Sequence, residues 1–202
     1  RLLLVGDNVT DPKSWSGTPF AIYSELQKQG IDVVPFNPYS WYKTIIGKCI
    51  IHLFGKTILP FFGNELSRWD QIILGFIIKW KLKKEGISNV FYMGNGVRIS
   101  NTNIKSYLFC DAVVQERYKF YPYHRSENTL KHNLLKLLLY KSEKRHFLSM
   151  EHIFTQSDWV KNYLHDDLGY PEDKVEKVGF GLNVKLLEGK KNHDNNLLKF
   201  RK

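Results

Sequence analysis

The chain has 202 residues, a formal net charge of +10, 43% hydrophobic and 14% aromatic residues. This length suffices for one domain with a sizeable core, and the apolar content excludes a disordered chain. The two cysteines, Cys49 and Cys110, give no disulfide framework, which is consistent with a reducing compartment, and no apolar run approaches the roughly 20 residues of a membrane-spanning helix.

The first predicted unit is strand, loop, helix, strand. A strand at 2–6 leads through a polar loop to a helix that starts at Thr18-Pro19 and ends at Gln29-Gly30, and a strand follows at 32–36. Thr18 suits the N-cap of this helix and Pro19 its first position. The start of such a helix can hold a phosphate, although the GxGxxG fingerprint of nicotinamide-binding proteins is missing.

The positive charge is concentrated in residues 39–84 and 117–147, which indicates a surface that faces anions. Apolar residues at helical spacing predict a helix in the first range: Leu66, Trp69, Ile72, Ile73, Phe76, Ile77 and Trp80. The lysines at its end are Lys79, Lys81, Lys83 and Lys84. Either this helix covers the sheet with a solvated basic end, or Trp80 and these lysines face an anionic membrane.

Two later strands, at 89–94 and 106–110, end in residues suited to a ligand site. Loops at the carboxyl ends of parallel strands line the ligand crevice, so Asn95 and Gly96 are candidate site residues. Asp111 follows the second strand, where a carboxylate can accept a proton from a ligand hydroxyl or hold it by a hydrogen bond. The local alternatives are an ordinary Asn-Gly turn and an aspartate that caps the next turn.

Residues 117–125 interleave basic and aromatic side chains, and a helix is predicted at 128–148. Rings stack on sugar faces and guanidinium groups bind phosphate, so Arg117, Tyr118 and His124 are candidates for binding a sugar or phosphate ligand. The same pattern would suit single-stranded nucleic acid, or a partly exposed connection without a ligand.

The last unit, residues 152–183, reads HIFTQSDWVKNYLHDDLGYPEDKVEKVGFGLN. Ser157-Asp158 can cap a helix that Gly169 ends, and strands precede and follow it, which is a βαβ unit of a parallel sheet. The predicted inward side of this helix consists of Val160, Tyr163, Leu164 and Leu168. The whole run resembles the close of the N-terminal domain of family 4 glycosyltransferases, which are two-domain enzymes of the GT-B architecture.

This resemblance implies a fold and a domain organisation. The expected fold is α/β, a Rossmann-like, mainly parallel sheet with helices on both faces, forming one half of a GT-B enzyme. Residues 1–184 would be the N-terminal acceptor domain. Residues 185–202 would be a linker toward a donor-binding domain outside this chain, so the chain alone is expected to fold but not to turn over.

The resemblance also implies the chemistry. It predicts transfer of a hexosyl unit from a nucleotide-sugar donor to a glycan or lipid-linked acceptor, in surface polysaccharide or glycolipid synthesis. The transfer would retain the anomeric configuration and would require neither a metal nor a further cofactor. Ser16, Gly17 and Thr18 match a loop that approaches the donor diphosphate and sugar. The candidates for acceptor binding are Trp15 beside them, Asn95, Gly96, Arg117, Tyr118 and His124. Asp111 lies where many members have a histidine near the reacting sugar, and some have an aspartate.

The expected location is cytoplasmic, on the inner face of a membrane. A non-catalytic module that binds anionic lipid or glycan would share the basic surface, and so would a nucleic-acid-binding domain, whose affinity should fall steeply with salt. The α/β pattern with a phosphate-ready first loop favours the nucleotide-sugar enzyme, and no nucleic-acid partner is expected.

Overall fold

The computed structural model describes residues 1–38, 40, 68–94, 99, 103–111, 113, 141 and 143–178, with the backbone alone at 15, 16 and 68–73. The strands in this part are β1 (Leu2–Val5), β2 (Val33–Phe36), β3 (Asn89–Met93), β4 (Lys105–Cys110), β5 (His152–Thr155) and β6 (Val175–Lys177). The helices are α1 (Thr18–Lys28), α2 (Arg68–Glu85) and α3 (Asp158–Asn162), which continues as a π-helical turn over Tyr163–Asp167. Short 3-10 helices span Ser14–Gly17 and Glu172–Lys174, and residues 143–148 are helical.

The six strands form one sheet in the order β2-β1-β3-β4-β5-β6, and every neighbouring pair is parallel. The first step along the chain, from β1 to β2, runs toward one side of the sheet, whereas β3 to β6 extend toward the other. The prediction of an α/β, Rossmann-like parallel sheet is therefore confirmed. The strand order reverses between β1 and β3, and such a switch point is where open α/β sheets bind their ligands.

Helices cover both faces of the sheet, as predicted. Alternate residues of a strand point to opposite faces, so Leu3 and Val5 belong to one core cluster and Leu4 to the other. The first cluster includes Leu74, Ile78 and Leu82 of α2, together with Val90, Leu108, Ile153 and Phe147. The second cluster packs Ile22, Tyr23 and Leu26 of α1 against Leu4, Phe91 and Phe109. The two faces are thus covered by helices from different crossovers.

The face of α2 that packs on the sheet consists of Leu74, Ile78 and Leu82, which are spaced four residues apart and buried. Of the apolar residues that predict this helix, Ile77 packs against the same core cluster, whereas Phe76 and Trp80 are 67% and 60% exposed. The helix carries apolar residues on more than one side, so its sequence spacing is compatible with two stripes, and contact with the sheet selects one of them.

The closing unit follows the sequence closely. Ser157 is the N-cap of α3, and Val160, Tyr163, Leu164 and Leu168 are all buried, which confirms the predicted inward side of this helix. Gly169 ends it in the left-handed conformation, with φ 67°. After this helix, residues 175–177 form β6. Of the predicted helix at 128–148, the described residues 141 and 143–148 are helical. The predicted domain boundary at 184 lies outside the described residues.

Two substitutions in α2 test which of its faces is packed. Ile78→Ala should lower the free energy of unfolding by about 2–5 kcal/mol, because it leaves a cavity against the sheet. Phe76→Ala removes a larger but mostly exposed side chain and should change that energy by less than about 0.5 kcal/mol. Urea unfolding of both variants measures the difference, and equal losses would contradict this packing.

Candidate functional site

Because all six strands are parallel, their carboxyl ends lie along one side of the sheet, which we call the carboxyl edge. Polar or small residues follow the strands there: Gly6, Asp7 and Asn8 after β1, Asn37 after β2, Gly94 after β3, Asp111 after β4, and Gln156 and Ser157 after β5. The candidate site is the part of this edge around the switch point between β1 and β3.

The chain is tightly packed where it leaves β1. Gly6 donates its N–H to the carbonyl oxygen of Phe36 at 3.1 Å. A Cβ atom on Gly6 would lie 2.8 Å from Cγ1 of Val9 and 2.9 Å from Cβ of Met93, closer than side chains normally approach. Only glycine fits between these groups, so the loop after β1 lies directly against the end of β3.

Three polar side chains join the loops after β1 and β2, and we call them the Asp7–Asn8–Asn37 cluster. The Asn37 amide Nδ2 donates to Oδ1 of Asp7 at 2.7 Å and to Oδ1 of Asn8 at 3.1 Å. The Asn37 Oδ1 atom accepts from the Ser40 N–H at 3.2 Å. Asn8 has a positive φ of 45°, a conformation that asparagine tolerates better than most residues. The cluster is exposed at the switch point.

The start of α1 lies beside this cluster. The Ser14 hydroxyl donates to the carbonyl oxygen of Asp7 at 2.8 Å, which ties the 3-10 helix to the end of β1. The N-cap is Gly17, with φ 81° and no side-chain cap, and not Thr18 as the sequence predicted. The left-handed backbone needed between the 3-10 helix and α1 favours glycine at this position. Gly17 and Thr18 were both predicted to bind the donor. Gly17 is buried and Thr18 is half-buried, so Thr18 is the more accessible of these two residues.

Asp111 also lies on the carboxyl edge, directly after β4. β4 is separated from β1 only by β3, so two strand spacings, roughly 10 Å, separate Asp111 from the end of β1. The residue is half-buried and follows the buried Cys110. Across the described residues, no hydrogen bond or ion pair engages its carboxylate, and both the predicted site role and the alternative of a turn cap stay predictions.

The end of β5 adds an aromatic side chain to the same edge. Trp159 is 43% exposed in the first turn of α3. Its neighbour Asp158 forms an ion pair with Lys177 of β6, and the Ser157 N–H donates to Oγ1 of Thr155 at 3.4 Å. An exposed indole at this edge offers a flat apolar surface of the kind on which sugar rings stack.

The structure thus ties the 3-10 helix that leads to Gly17 and Thr18 to Asp7, directly after β1, and puts Asp111 on the same edge. Trp15 and Ser16 belong to the 3-10 helix before α1. The other predicted site residues lie outside the described residues and stay predictions: Asn95, Gly96, Arg117, Tyr118 and His124. Sequence reasoning missed Asp7, Asn8 and Asn37, although each follows the carboxyl end of a predicted strand, which was the available signal.

The predicted membrane-facing residues divide into two groups on α2. Trp80, Lys83 and Lys84 are exposed, with Nζ of Lys84 5.1 Å from the centroid of the Trp80 ring, and they share one side of the helix with Phe76. We call these four residues the basic-aromatic face. Lys79 and Lys81 are half-buried, and Nζ of Lys81 donates to Glu85 at 2.9 Å, which lowers the pKa of Glu85. No helix in the described ranges is both long enough and apolar enough to span a bilayer.

Neither the comparison with protein-family models nor the comparison with curated proteins finds a match for this chain. The resemblance to a glycosyltransferase family therefore stays a prediction from the sequence. Among the described side chains, no three His, Cys, Asp or Glu residues are grouped as ligands for a metal ion. The prediction that the reaction requires no metal stays a prediction.

The crowding at Gly6 can be tested by adding one methyl group. Gly6→Ala should lower the free energy of unfolding by about 1–3 kcal/mol, because the new Cβ must displace Val9 or the β3 backbone. Gly30→Asn is the control: nothing lies within 4 Å of a Cβ there, and asparagine tolerates its φ of 78°. Denaturant midpoints measure both, and an unchanged midpoint for Gly6→Ala would show that the junction between β1 and β3 is looser than described.

Proposed function

We propose that this chain is the acceptor-binding, N-terminal half of a retaining glycosyltransferase that moves a sugar from a nucleotide-sugar donor to a glycan or lipid-linked acceptor. The observation that carries the proposal is the switch point of an all-parallel sheet, with polar side chains and a helix start at one carboxyl edge. Sheets of this kind bind nucleotide and sugar ligands outside the carboxyl ends of their strands. The sequence resemblance over 152–183 supplies the reaction type.

The start of α1 is the group in this half that suits the donor diphosphate. The positive end of the helix dipole and the half-buried Thr18 follow the 3-10 helix whose Ser14 hydroxyl donates to the carbonyl oxygen of Asp7, after β1. No side chain caps this helix start. The remaining donor contacts belong, in this proposal, to a second domain that closes over the carboxyl edge.

Asp111 is the group that suits the acceptor hydroxyl. Its carboxylate is half-buried, and within the described part of the chain it has no other partner to compete for it. In the proposed reaction, it orients the attacking hydroxyl toward the anomeric carbon and takes up the proton of that hydroxyl as the oxygen attacks. The bond from the anomeric carbon to the diphosphate breaks as the new glycosidic bond forms.

The test is transfer of labelled sugar by the protein with its donor-binding domain, using UDP- and GDP-sugars and lipid extracts as acceptors. Asp111→Asn should lower kcat/KM by about 10²–10⁴-fold, since the amide cannot take up the hydroxyl proton. Asp32→Asn is the matched control, because Asp32 pairs with Arg1 at the opposite edge of the sheet.

Three outcomes would count against the proposal. No transfer from any donor would contradict the reaction, and full activity in Asp111→Asn would remove the role of that residue. Measurable transfer by residues 1–202 alone would contradict the assignment of this chain to one half of the enzyme.

The basic-aromatic face of α2 supports a peripheral position at an anionic membrane. Phe76 and Trp80 are exposed large apolar side chains, and the ammonium groups of Lys83 and Lys84 extend the same side of the helix. Indole rings favour the headgroup region, and each lysine near an anionic surface contributes about 1 kcal/mol. A lipid-linked acceptor at the cytoplasmic face would be within reach of a protein held in this way.

Liposome co-sedimentation tests this surface. The double substitution Lys83→Ser, Lys84→Ser should weaken binding to anionic vesicles by about 30-fold, from two contributions of about 1 kcal/mol each. Lys28→Ser, Lys105→Ser removes the same charge from other parts of the surface and should have a much smaller effect. Equal binding to neutral vesicles, or equal effects of the two double variants, would argue against docking through α2.

A further inference from the structure

The Asp7–Asn8–Asn37 cluster has hydrogen-bonding groups left over after its internal contacts are counted. Oδ1 of Asp7 and Oδ1 of Asn8 both accept from Asn37, and the Asp7 carbonyl accepts from Ser14. Within the described part of the chain, Oδ2 of Asp7 and Nδ2 of Asn8 have no partner. One is an anionic acceptor and the other a double donor, side by side in sequence and exposed at the switch point.

We propose that this cluster is a subsite for a vicinal diol of a sugar, in which Asp7 and Asn8 contact the two hydroxyls and Asn37 is a positioning residue. The proposal deepens the proposed function and rests on it for the sugar chemistry of the ligand. Each hydroxyl of a diol is both donor and acceptor, so one hydroxyl donates to Oδ2 of Asp7 while its neighbour accepts from Nδ2 of Asn8.

The charge of the cluster narrows the choice of ligand. The Asp7 carboxylate repels a phosphate or any other anion, so the cluster prefers an uncharged ligand group. The start of α1, in contrast, favours a phosphate. A neutral polyhydroxyl group beside a phosphate is the pattern that a nucleotide sugar or a phosphorylated acceptor presents. The two adjacent features thus recognise different parts of such ligands.

The internal hydrogen bonds hold the contact groups in place before a ligand arrives. Exposed Asp and Asn side chains normally lose rotamer freedom on binding, which weakens the affinity. Here Asn37 binds both side chains from the neighbouring strand, and Ser40 in turn binds Asn37. Side chains fixed in this way lose little further freedom, which is the arrangement expected of a recognition site.

The diol has two sources in this reaction, the acceptor sugar and the sugar or ribose of the donor. Both sources are tested by titrating the 202-residue chain, labelled with ¹⁵N, and following the side-chain amide signals of Asn8 and Asn37. The ligands are UDP, UDP-glucose and the methyl glycosides of glucose, galactose, mannose and N-acetylglucosamine. A response to a methyl glycoside but not to UDP-glucose identifies an acceptor sugar. A response to UDP-glucose but not to UDP identifies the donor sugar, and a response to UDP identifies ribose.

Asp7→Asn should lower the affinity for the ligand that shifts the Asn8 signal by about tenfold, because a charge-assisted hydrogen bond is replaced by a neutral one. Asp11→Asn is the matched control: Asp11 lies in the same loop, and its carboxylate accepts from the Lys13 N–H. Asn37→Ala should weaken binding because Asp7 is then no longer held in place. The two substitutions therefore act on the same contact, and the double variant should lose less affinity than the product of the two single fold-changes. A purely structural role for Asn37 would leave the two effects multiplicative.

The proposal is overturned if no ligand in the panel shifts the Asn8 amide, or if Asp7→Asn and Asp11→Asn have equal effects. Its failure is separable from failure of the glycosyltransferase proposal. If the protein with its donor-binding domain transfers sugar but no ligand shifts the Asn8 signal, only the subsite proposal fails. If a ligand shifts the Asn8 signal but that protein transfers no sugar, the glycosyltransferase proposal fails and the subsite proposal stands.

Discussion

Parallel pairing of the six strands is the constraint on which the other features depend. Parallel strands cannot be joined by tight turns, so each connection must cross a face of the sheet and return to the same starting edge. As a result, all carboxyl ends meet at one edge, and residues far apart in sequence become neighbours there. The step from β1 to β2 runs opposite to the later steps, which leaves a crevice between the loops after β1 and β3.

The candidate site follows from how closely the chain is packed at that crevice. Gly6 admits no side chain, so the loop after β1 lies against β3, and Asn37 joins the same loop to the end of β2. Ser14 then ties the start of α1 to Asp7. Three separate contacts therefore fix the position of one short loop. Its polar groups are held by the backbone of two strands and one helix, a rigid support of the kind that ligand recognition needs.

The two faces of α2 connect the core with the surface. One side, with Leu74, Ile78 and Leu82, belongs to the larger core cluster and holds the helix on the sheet. The opposite side presents Phe76 and Trp80, beside which Lys84 lies over the indole ring. Although α2 is apolar on both sides, only the buried side holds it on the sheet. The exposed side is then left for a partner, and in the proposed function that partner is an anionic membrane.

The sequence by itself determined the elements whose signals are local: the strands, the Gly169 stop and the buried side of α3, because stop signals and periodicity act within a few residues. Only the tertiary structure decided which side of α2 is buried, since its spacing was compatible with two. The tertiary structure likewise decided the N-cap at Gly17 and the contact between Asp7 and Asn37. Thirty positions separate the latter pair, and they meet only because β1 and β2 are neighbours in the sheet.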